Sequence, residues 1–147
     1  MKVVSIGTDR NIFDKKSAVR QRMVEYGTLA DELHLVVFTL KHEQFLPEQI
    51  SKNVWAYPTN SRFRLAYFPD AVRLGRKIVG DKNFLISTQD PADTGAVGVW
   101  LARKYRLPLQ IQIHTDIFSP YYRKFFLNKI RFFISKFIIQ RANGVRV

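Results

Sequence analysis

The stretch FLISTQDPADTGAVGVWLARKYRLPLQIQIHTD, residues 84–116, decides the fold. Two short apolar runs, at 83–88 and 109–113, are typical of buried strands, and the segment 91–105 between them is predicted to be a helix. Each run ends abruptly in polar residues: Gln89 and Asp90 after the first, and His114, Thr115 and Asp116 after the second. Because ligands of open α/β sheets bind beyond the carboxyl ends of the strands, these residues predict a binding site.

The same alternation of strand and helix continues outward over the whole chain. Further strands are predicted at 2–6, 35–40, 54–57 and from 144, and further helices at 15–33, from about 69, and at 119–141. This pattern predicts an α/β fold, a Rossmann-like, doubly wound and mostly parallel sheet with helices on both faces. In the common strand order, the strand from Lys2 lies next to that from Asn83, so Gly7–Asp9 and Gln89–Asp90 flank the topological switch point.

The composition of the chain excludes some kinds of binding site and favours some kinds of partner. The chain has 147 residues, a net charge of +12 and no cysteine, which excludes disulfides and thiolate metal sites. The opening strand runs directly into Gly7, unlike a signal peptide, and no apolar run is long enough to span a bilayer. We therefore expect a cytoplasmic protein. The charge favours a polyanionic partner, namely nucleic acid, an anionic membrane surface or a phosphorylated ligand, although a simply basic surface is an equal alternative.

Each candidate site residue also has a structural interpretation. The loop Gly7-Thr8-Asp9 follows a strand and could offer backbone N–H groups to a phosphate, but its spacing matches neither GxGxxG nor a P-loop, so an ordinary turn remains open. Asp90 before Pro91 is equally typical of a helix N-cap. His114 is a lone histidine at a strand end, and the three histidines of the chain show no metal-ligand spacing.

The long basic helix at 119–141 has two apolar lines at helical spacing. The broader line is predicted to be core: Phe126, Leu127, Ile130, Phe133, Ile134, Phe137 and Ile138. The second line, Phe125, Phe132 and Ile139, lies between cations. Such a ridge suits a helix at a membrane interface, with burial by a partner domain or by the edge of the sheet as the alternative. The predicted membrane contacts are Lys124, Phe125, Lys129, Arg131, Phe132, Lys136 and Ile139.

The motif QDPADTGAVGVWLARKYRLPLQIQIHTD, followed by a helix ending in QRANGVRV, resembles the amino-terminal domain of family-4 glycosyltransferases. The resemblance covers essentially the whole chain. It implies one half of a GT-B architecture, in which this domain holds a glycan or lipid-linked acceptor. A carboxyl-terminal domain outside residues 1–147 would hold the nucleotide-sugar, so the fragment alone is expected to be inactive. Transfer would retain the anomeric configuration, without a metal or another cofactor.

The resemblance also implies a role for each candidate residue. His114 resembles the cleft histidine that contacts the donor sugar, and it is the expected catalytic residue. Gln89, Asp90, Thr115 and Asp116 would line the acceptor side, and Gly7, Thr8 and Asp9 would face the donor diphosphate. Many family members carry a glycine pair in that loop, whereas this chain has Gly7 alone. Two alternatives stay open: a basic α/β module that binds nucleic acid, and a stand-alone flavodoxin-like domain that binds a sugar or nucleotide.

Overall fold

The computed structural model describes residues 1–80, 83–114, 117 and 119–147. Within them the chain forms one seven-stranded sheet and four α-helices, which confirms the predicted α/β class. The strands are β1 (Lys2–Gly7), β2 (Glu32–Val37), β3 (Glu48–Ser51), β4 (Val54–Pro58), β5 (Phe84–Thr88), β6 (Leu109–Gln112) and β7 (Gly144–Arg146). The helices are α1 (Ala18–Gly27), α2 (Tyr67–Val79), α3 (Asp93–Tyr105) and α4 (Phe126–Ile139).

The strand order places the predicted switch point at the centre of the sheet. The order is β3-β4-β2-β1-β5-β6-β7, with β3 antiparallel to β4 and every other neighbouring pair parallel. The chain winds from β1 to β2 and β4 on one side, then returns to place β5 on the other side of β1. Ile6 in β1 lies opposite Val36 in β2 and Thr88 in β5. The carboxyl ends of β1 and β5 are therefore neighbours, as predicted for a doubly wound, Rossmann-like sheet.

The two faces of the sheet bury two separate cores. On one face α1 covers a small cluster that includes Ile12, Leu35 and Val54. On the other face α2 and α3 cover a larger cluster centred on Ile6, Ile86 and other side chains of the parallel strands, and α4 lies beside α3. The central strands β1, β2 and β5 are buried on both faces towards their carboxyl ends, whereas β6 alternates buried apolar residues with half-buried glutamines.

The absence of a side chain at Gly98 sets the distance between α3 and the sheet. A Cβ atom at this position would overlap the Thr88 Cγ2 methyl group of β5 and would lie 3.0 Å from Leu109 Cδ1 of β6. Helix α3 therefore packs directly on the two strands that carry the predicted site. Its first turn lies just beyond the end of β5.

The region between β1 and β4 differs from the prediction. Helix α1 spans Ala18–Gly27, with Ser17 Oγ accepting a hydrogen bond from Arg20 N (3.1 Å), whereas a helix over 15–33 was predicted. The chain turns after Gly27 so that β2 can start at Glu32 in parallel register with β1. The polar strand β3 was not predicted. It is held in part by Glu48, whose Oε2 atom accepts from Arg20 Nη2 of α1 at 3.2 Å.

The predicted core face of α4 is wrong for all but one of its residues. Ile138 is buried, at 3% exposure, and packs beside Gly95 of α3, while the rest of that line is exposed: Phe126, Leu127, Ile130, Phe133, Ile134 and Phe137. The buried face of the helix is instead formed by Ser135 and Ile138, flanked by half-buried residues. Helix α4 lies beside α3 and does not extend across the sheet, so only this narrow stripe finds apolar neighbours.

Candidate functional site

Residues from three strand ends gather at the carboxyl edge of the sheet. Thr8 and Asp9 follow β1, Gln89 and Asp90 follow β5, and His114 follows β6 closely. The structure therefore brings together the predicted residues of the first loop, the second loop and the histidine. Thr115 and Asp116, the other two predicted acceptor residues, lie outside the described residues.

The side chain of Gln89 bridges the two central strands at the switch point. Its Oε1 atom accepts a hydrogen bond from the Thr8 backbone N–H at 3.1 Å, and its own backbone N–H donates to the Ile6 carbonyl at 3.0 Å. A Cβ atom at residue 7 would overlap the Gln89 amide group, so this arrangement requires Gly7. Gly7 therefore makes room for Gln89, and the Thr8 N–H that could have met a phosphate is already bonded.

Asp9 also has a structural contact. Its Oδ1 atom accepts from the Asn11 N–H at 3.1 Å and so caps the short 3₁₀ helix Arg10–Phe13. Two N–H groups of the loop after β1 are thus bonded within the protein. The carboxylate of Asp9 lies at the edge of the cleft, as does Thr8. Carboxylates repel phosphates, so the described geometry offers the predicted diphosphate role of Gly7–Asp9 little support.

Asp90 serves as the cap of α3. Its Oδ1 atom accepts from Ala92 N at 2.8 Å, and its Oδ2 atom accepts from Thr94 N at 3.2 Å. The hydroxyl of buried Thr94 returns a hydrogen bond to the Asp90 carbonyl at 3.1 Å. The carboxylate thus satisfies first-turn amides that have no partner within the helix, which is the capping alternative weighed from the sequence.

His114 lies just beyond the end of β6 and lines the cleft. Its ring is exposed, and its Nε2 atom lies 3.1 Å from Gln112 Oε1. Gln112 in turn donates from Nε2 to Ser87 Oγ at 3.3 Å, which ties the pair to β5. These contacts orient the imidazole at the mouth of the cleft. Among the described residues none bonds to Nδ1, so this atom is available to a ligand or to solvent.

Two cavities meet at Gln89 and His114, which line both. The larger, of about 480 Å³, is also lined by Asp9, Arg22 and Arg146. The smaller, of about 230 Å³, lies towards α3 and α4. A cleft of this size, rich in hydrogen-bonding groups and with cations at one end, can hold a polar ligand such as a sugar or a phosphorylated sugar.

The smaller cavity is also lined by Tyr122 and Ser135, which were not predicted as site residues, and by Arg131, which was predicted as a membrane contact. Burial raises the pKa of the Tyr122 phenol above its ordinary value of 10.0. The Arg131 guanidinium opposes that rise, and the carboxylates of Asp93 and Asp90 add to it. The phenol therefore remains a hydrogen-bond donor at neutral pH. Within the described residues the buried Ser135 hydroxyl has no hydrogen-bond partner, so it is available to a ligand or a water molecule. Their spacing on a basic helix gives no sequence signal for a role in a cleft.

The residues predicted to contact a membrane differ in their exposure and in their contacts in the structure. Arg131 turns to α3, where Nη2 lies 2.9 Å from Asp93 Oδ2, so it belongs to the cleft. Phe132 and Ile139 are half-buried, and their contact with a membrane stays a prediction. Phe125 and the cations Lys124, Lys129 and Lys136 are exposed. No helix of the described chain is long and apolar enough to cross a bilayer.

A comparison of the chain with models of known protein families found no match, and a comparison with curated proteins found no match either. The resemblance to family-4 glycosyltransferases therefore depends on the sequence motifs alone. Among the described residues, no group of three or more acidic or histidine side chains is arranged to hold a metal ion.

Proposed function

We propose that this domain is the acceptor-binding half of a retaining glycosyltransferase that moves a sugar from a nucleotide-sugar to a glycan or lipid-linked acceptor. The observation that carries the proposal is the meeting of Gln89 and His114 between two cavities at the switch point of a doubly wound sheet. Open α/β sheets bind their ligands at this position. The sequence resemblance supplies the reaction class.

In this proposal the cleft residues mainly position the sugars. His114, whose Nε2–H donates to Gln112 Oε1, would face the transferred sugar with Nδ1, which would accept a hydrogen bond from a sugar hydroxyl and stabilise, through its partial negative charge, the positive charge that develops on the sugar ring. The smaller cavity, with the protonated Tyr122 and the free hydroxyl of Ser135 among the described residues, would accept the hydroxyl groups of the acceptor. The leaving diphosphate would be neutralised by cations of a second domain outside these 147 residues.

The experiment that tests the proposal compares two histidine variants in a polypeptide that also carries the donor domain. His114→Ala is expected to lower kcat by about a hundredfold, the usual effect of removing one group that stabilises the transition state. His42→Ala, an exposed histidine on the short 3₁₀ helix Lys41–Glu43, is the matched control and should leave kcat unchanged. Equal kcat for His114→Ala and the wild type would refute the role of His114.

A second measurement tests whether the cleft binds sugars at all. Thermal unfolding of the 147-residue chain is followed with a panel of uridine-, guanosine- and adenosine-linked sugars and with free oligosaccharides. A ligand that binds only the folded state raises the Tm. We expect stabilisation by an oligosaccharide that is lost in Ser135→Val and retained in Ser119→Ala. Absence of a shift with every sugar would contradict acceptor binding by this domain.

A further inference from the structure

We propose that the exposed apolar face of α4 docks onto a bilayer surface that contains anionic lipids. The α4 face consists of Phe126, Leu127, Ile130, Phe133, Ile134 and Phe137. Phe126 is 74% exposed and Phe133 70% exposed, far more than a core assignment allows. At about 100° per residue, all six side chains fall within an arc of about 120°. The α4 face lies on the other side of the helix from Ser135, which lines the smaller cavity, and the inference does not depend on the proposed function.

A groove makes the α4 face part of a larger apolar surface. The groove has a volume of about 780 Å³ and lies between α4 and α3, where it is also lined by Val99, Trp100 and Phe68 of α2. Arg103 and Lys104 of α3 lie on its rim. A contiguous apolar surface bordered by polar groups on a folded domain marks a site of contact with another body.

Cations border the α4 face on its other side as well. Lys129 and Lys136 project about 40° to 60° from the edge of the apolar arc, and neither forms an ion pair within the described part of the chain. The Arg141 guanidinium lies 3.3 Å from the centre of the Phe137 ring, and the Lys124 ammonium lies 4.6 Å from that of Tyr121. Aromatic rings beside cations are the pattern of helices that lie in a membrane interface.

The positive charge around the α4 face favours an anionic bilayer as its binding partner. Residues 117–147 contain seven Lys and Arg residues and neither Asp nor Glu. A second copy of the chain would bring the same positive surface against this one, and a net charge of +12 on each copy opposes that contact. An anionic bilayer offers acyl chains to the aromatic residues and phosphate groups to the lysines at the same time. The helix would lie in the plane of the surface, with the phenylalanines of the α4 face inserted.

The test is co-sedimentation of the full chain with vesicles of phosphatidylcholine alone and of phosphatidylcholine mixed equally with phosphatidylglycerol. Binding to the mixed vesicles is expected, and the double variant Phe133→Asp/Phe137→Asp should weaken it by about a hundredfold. The matched control is Leu29→Asp/Leu46→Asp, which changes two exposed apolar residues outside α4 and alters the net charge equally. It should retain most of the binding. Because all four side chains are exposed, the Tm of each variant should stay near that of the wild type.

A second pair of variants isolates the charge. Lys129→Ala/Lys136→Ala is expected to weaken binding by about thirtyfold, since each cation near an anionic surface contributes about a factor of five. Lys41→Ala/Lys52→Ala removes the same charge elsewhere and should have little effect. The proposal is overturned by absence of vesicle binding, or by equal losses in the two lysine pairs. A dimer that Phe133→Asp/Phe137→Asp dissolves, or RNA binding in place of vesicle binding, would overturn it too. None of these outcomes involves sugar transfer, so they leave the proposed function to its own test.

Discussion

Replacing Asp90 by alanine is expected to destabilise the domain, because the carboxylate caps α3 at the edge of the cleft. The substitution removes the acceptor of the Ala92 N–H bond (2.8 Å) and of the Thr94 N–H bond (3.2 Å). Both amides belong to the first turn of the helix or precede it directly, where no carbonyl of the helix can replace the lost acceptor.

The size of the effect follows from these two bonds. Loss of an N-cap side chain costs about 0.5–2 kcal/mol, and bonds to a charged acceptor fall at the upper end. We therefore expect a loss of about 2 kcal/mol, which lowers the Tm of a domain of this size by about 4–8 °C. Asp90→Asn keeps an oxygen at the same position and should cost less than about 0.5 kcal/mol, since Asn and Asp cap helices equally well.

The assay is thermal unfolding followed by circular dichroism, with Asp93→Ala as the control. Asp93 lies three residues further on and forms an exposed ion pair with Arg131, and such pairs contribute about 0–1 kcal/mol. If Asp90→Ala lowers the Tm no more than Asp93→Ala does, the capping argument is refuted and the carboxylate is free to serve a ligand. A large loss of stability in Asp90→Asn would show that the negative charge of the Asp90 carboxylate matters more than the position of its oxygen atoms.

Three other predictions follow from the packing and the titration. Gly98→Ala should destabilise the domain by about 1–3 kcal/mol in urea unfolding, because the added methyl overlaps Thr88, and a neutral result would contradict the close approach of α3 to the sheet. By the same measurement, Ile138→Ala should destabilise the domain by about 2–4 kcal/mol, whereas Ile134→Ala should cost less than about 0.5 kcal/mol. Equal losses of stability in the two variants would support the core face that was predicted from the sequence. The raised pKa of Tyr122 implies a contribution to stability that is complete below pH 10.0 and is lost as the pH rises through the pKa of the folded state. Tyr122→Phe should therefore lose less stability in alkali than the wild type does. Identical alkaline profiles of the two proteins would count against a raised pKa.

Strands β1, β5 and β6 could be predicted from the sequence, because burial of most of their residues, or of alternate residues in β6, leaves a clear apolar signal. The runs at 83–88 and 109–113 became β5 and β6, and β1 was predicted within one residue of its bounds. The polar residues that end these strands also placed Gln89 and His114 correctly at one edge.

Prediction from the sequence pattern was wrong where tertiary contacts decide between two conformations, or two helix faces, that fit the sequence equally well. Residues 28–33 continue the helical spacing of α1, but the parallel register of β2 with β1 requires extended backbone from Glu32. In α4 the periodicity correctly found an amphipathic helix, yet nothing in the sequence indicates that the protein covers only a narrow stripe at Ser135 and Ile138. The roles of Tyr122 and Arg131 in the cleft depend on where that helix lies beside α3, which is also a tertiary property.

The contact between Gly7 and Gln89 has a consequence for how related sequences can vary. The space above the backbone of residue 7 is filled by the amide of residue 89, 82 positions further along the chain, so a larger residue at position 7 would displace that amide. A larger residue at position 7 is compatible with the fold only if residue 89 is short or turns away, and it then releases the Thr8 N–H to the cleft. Among homologues, glycine at position 7 should therefore accompany a long amide at position 89, and the two positions should covary as a pair.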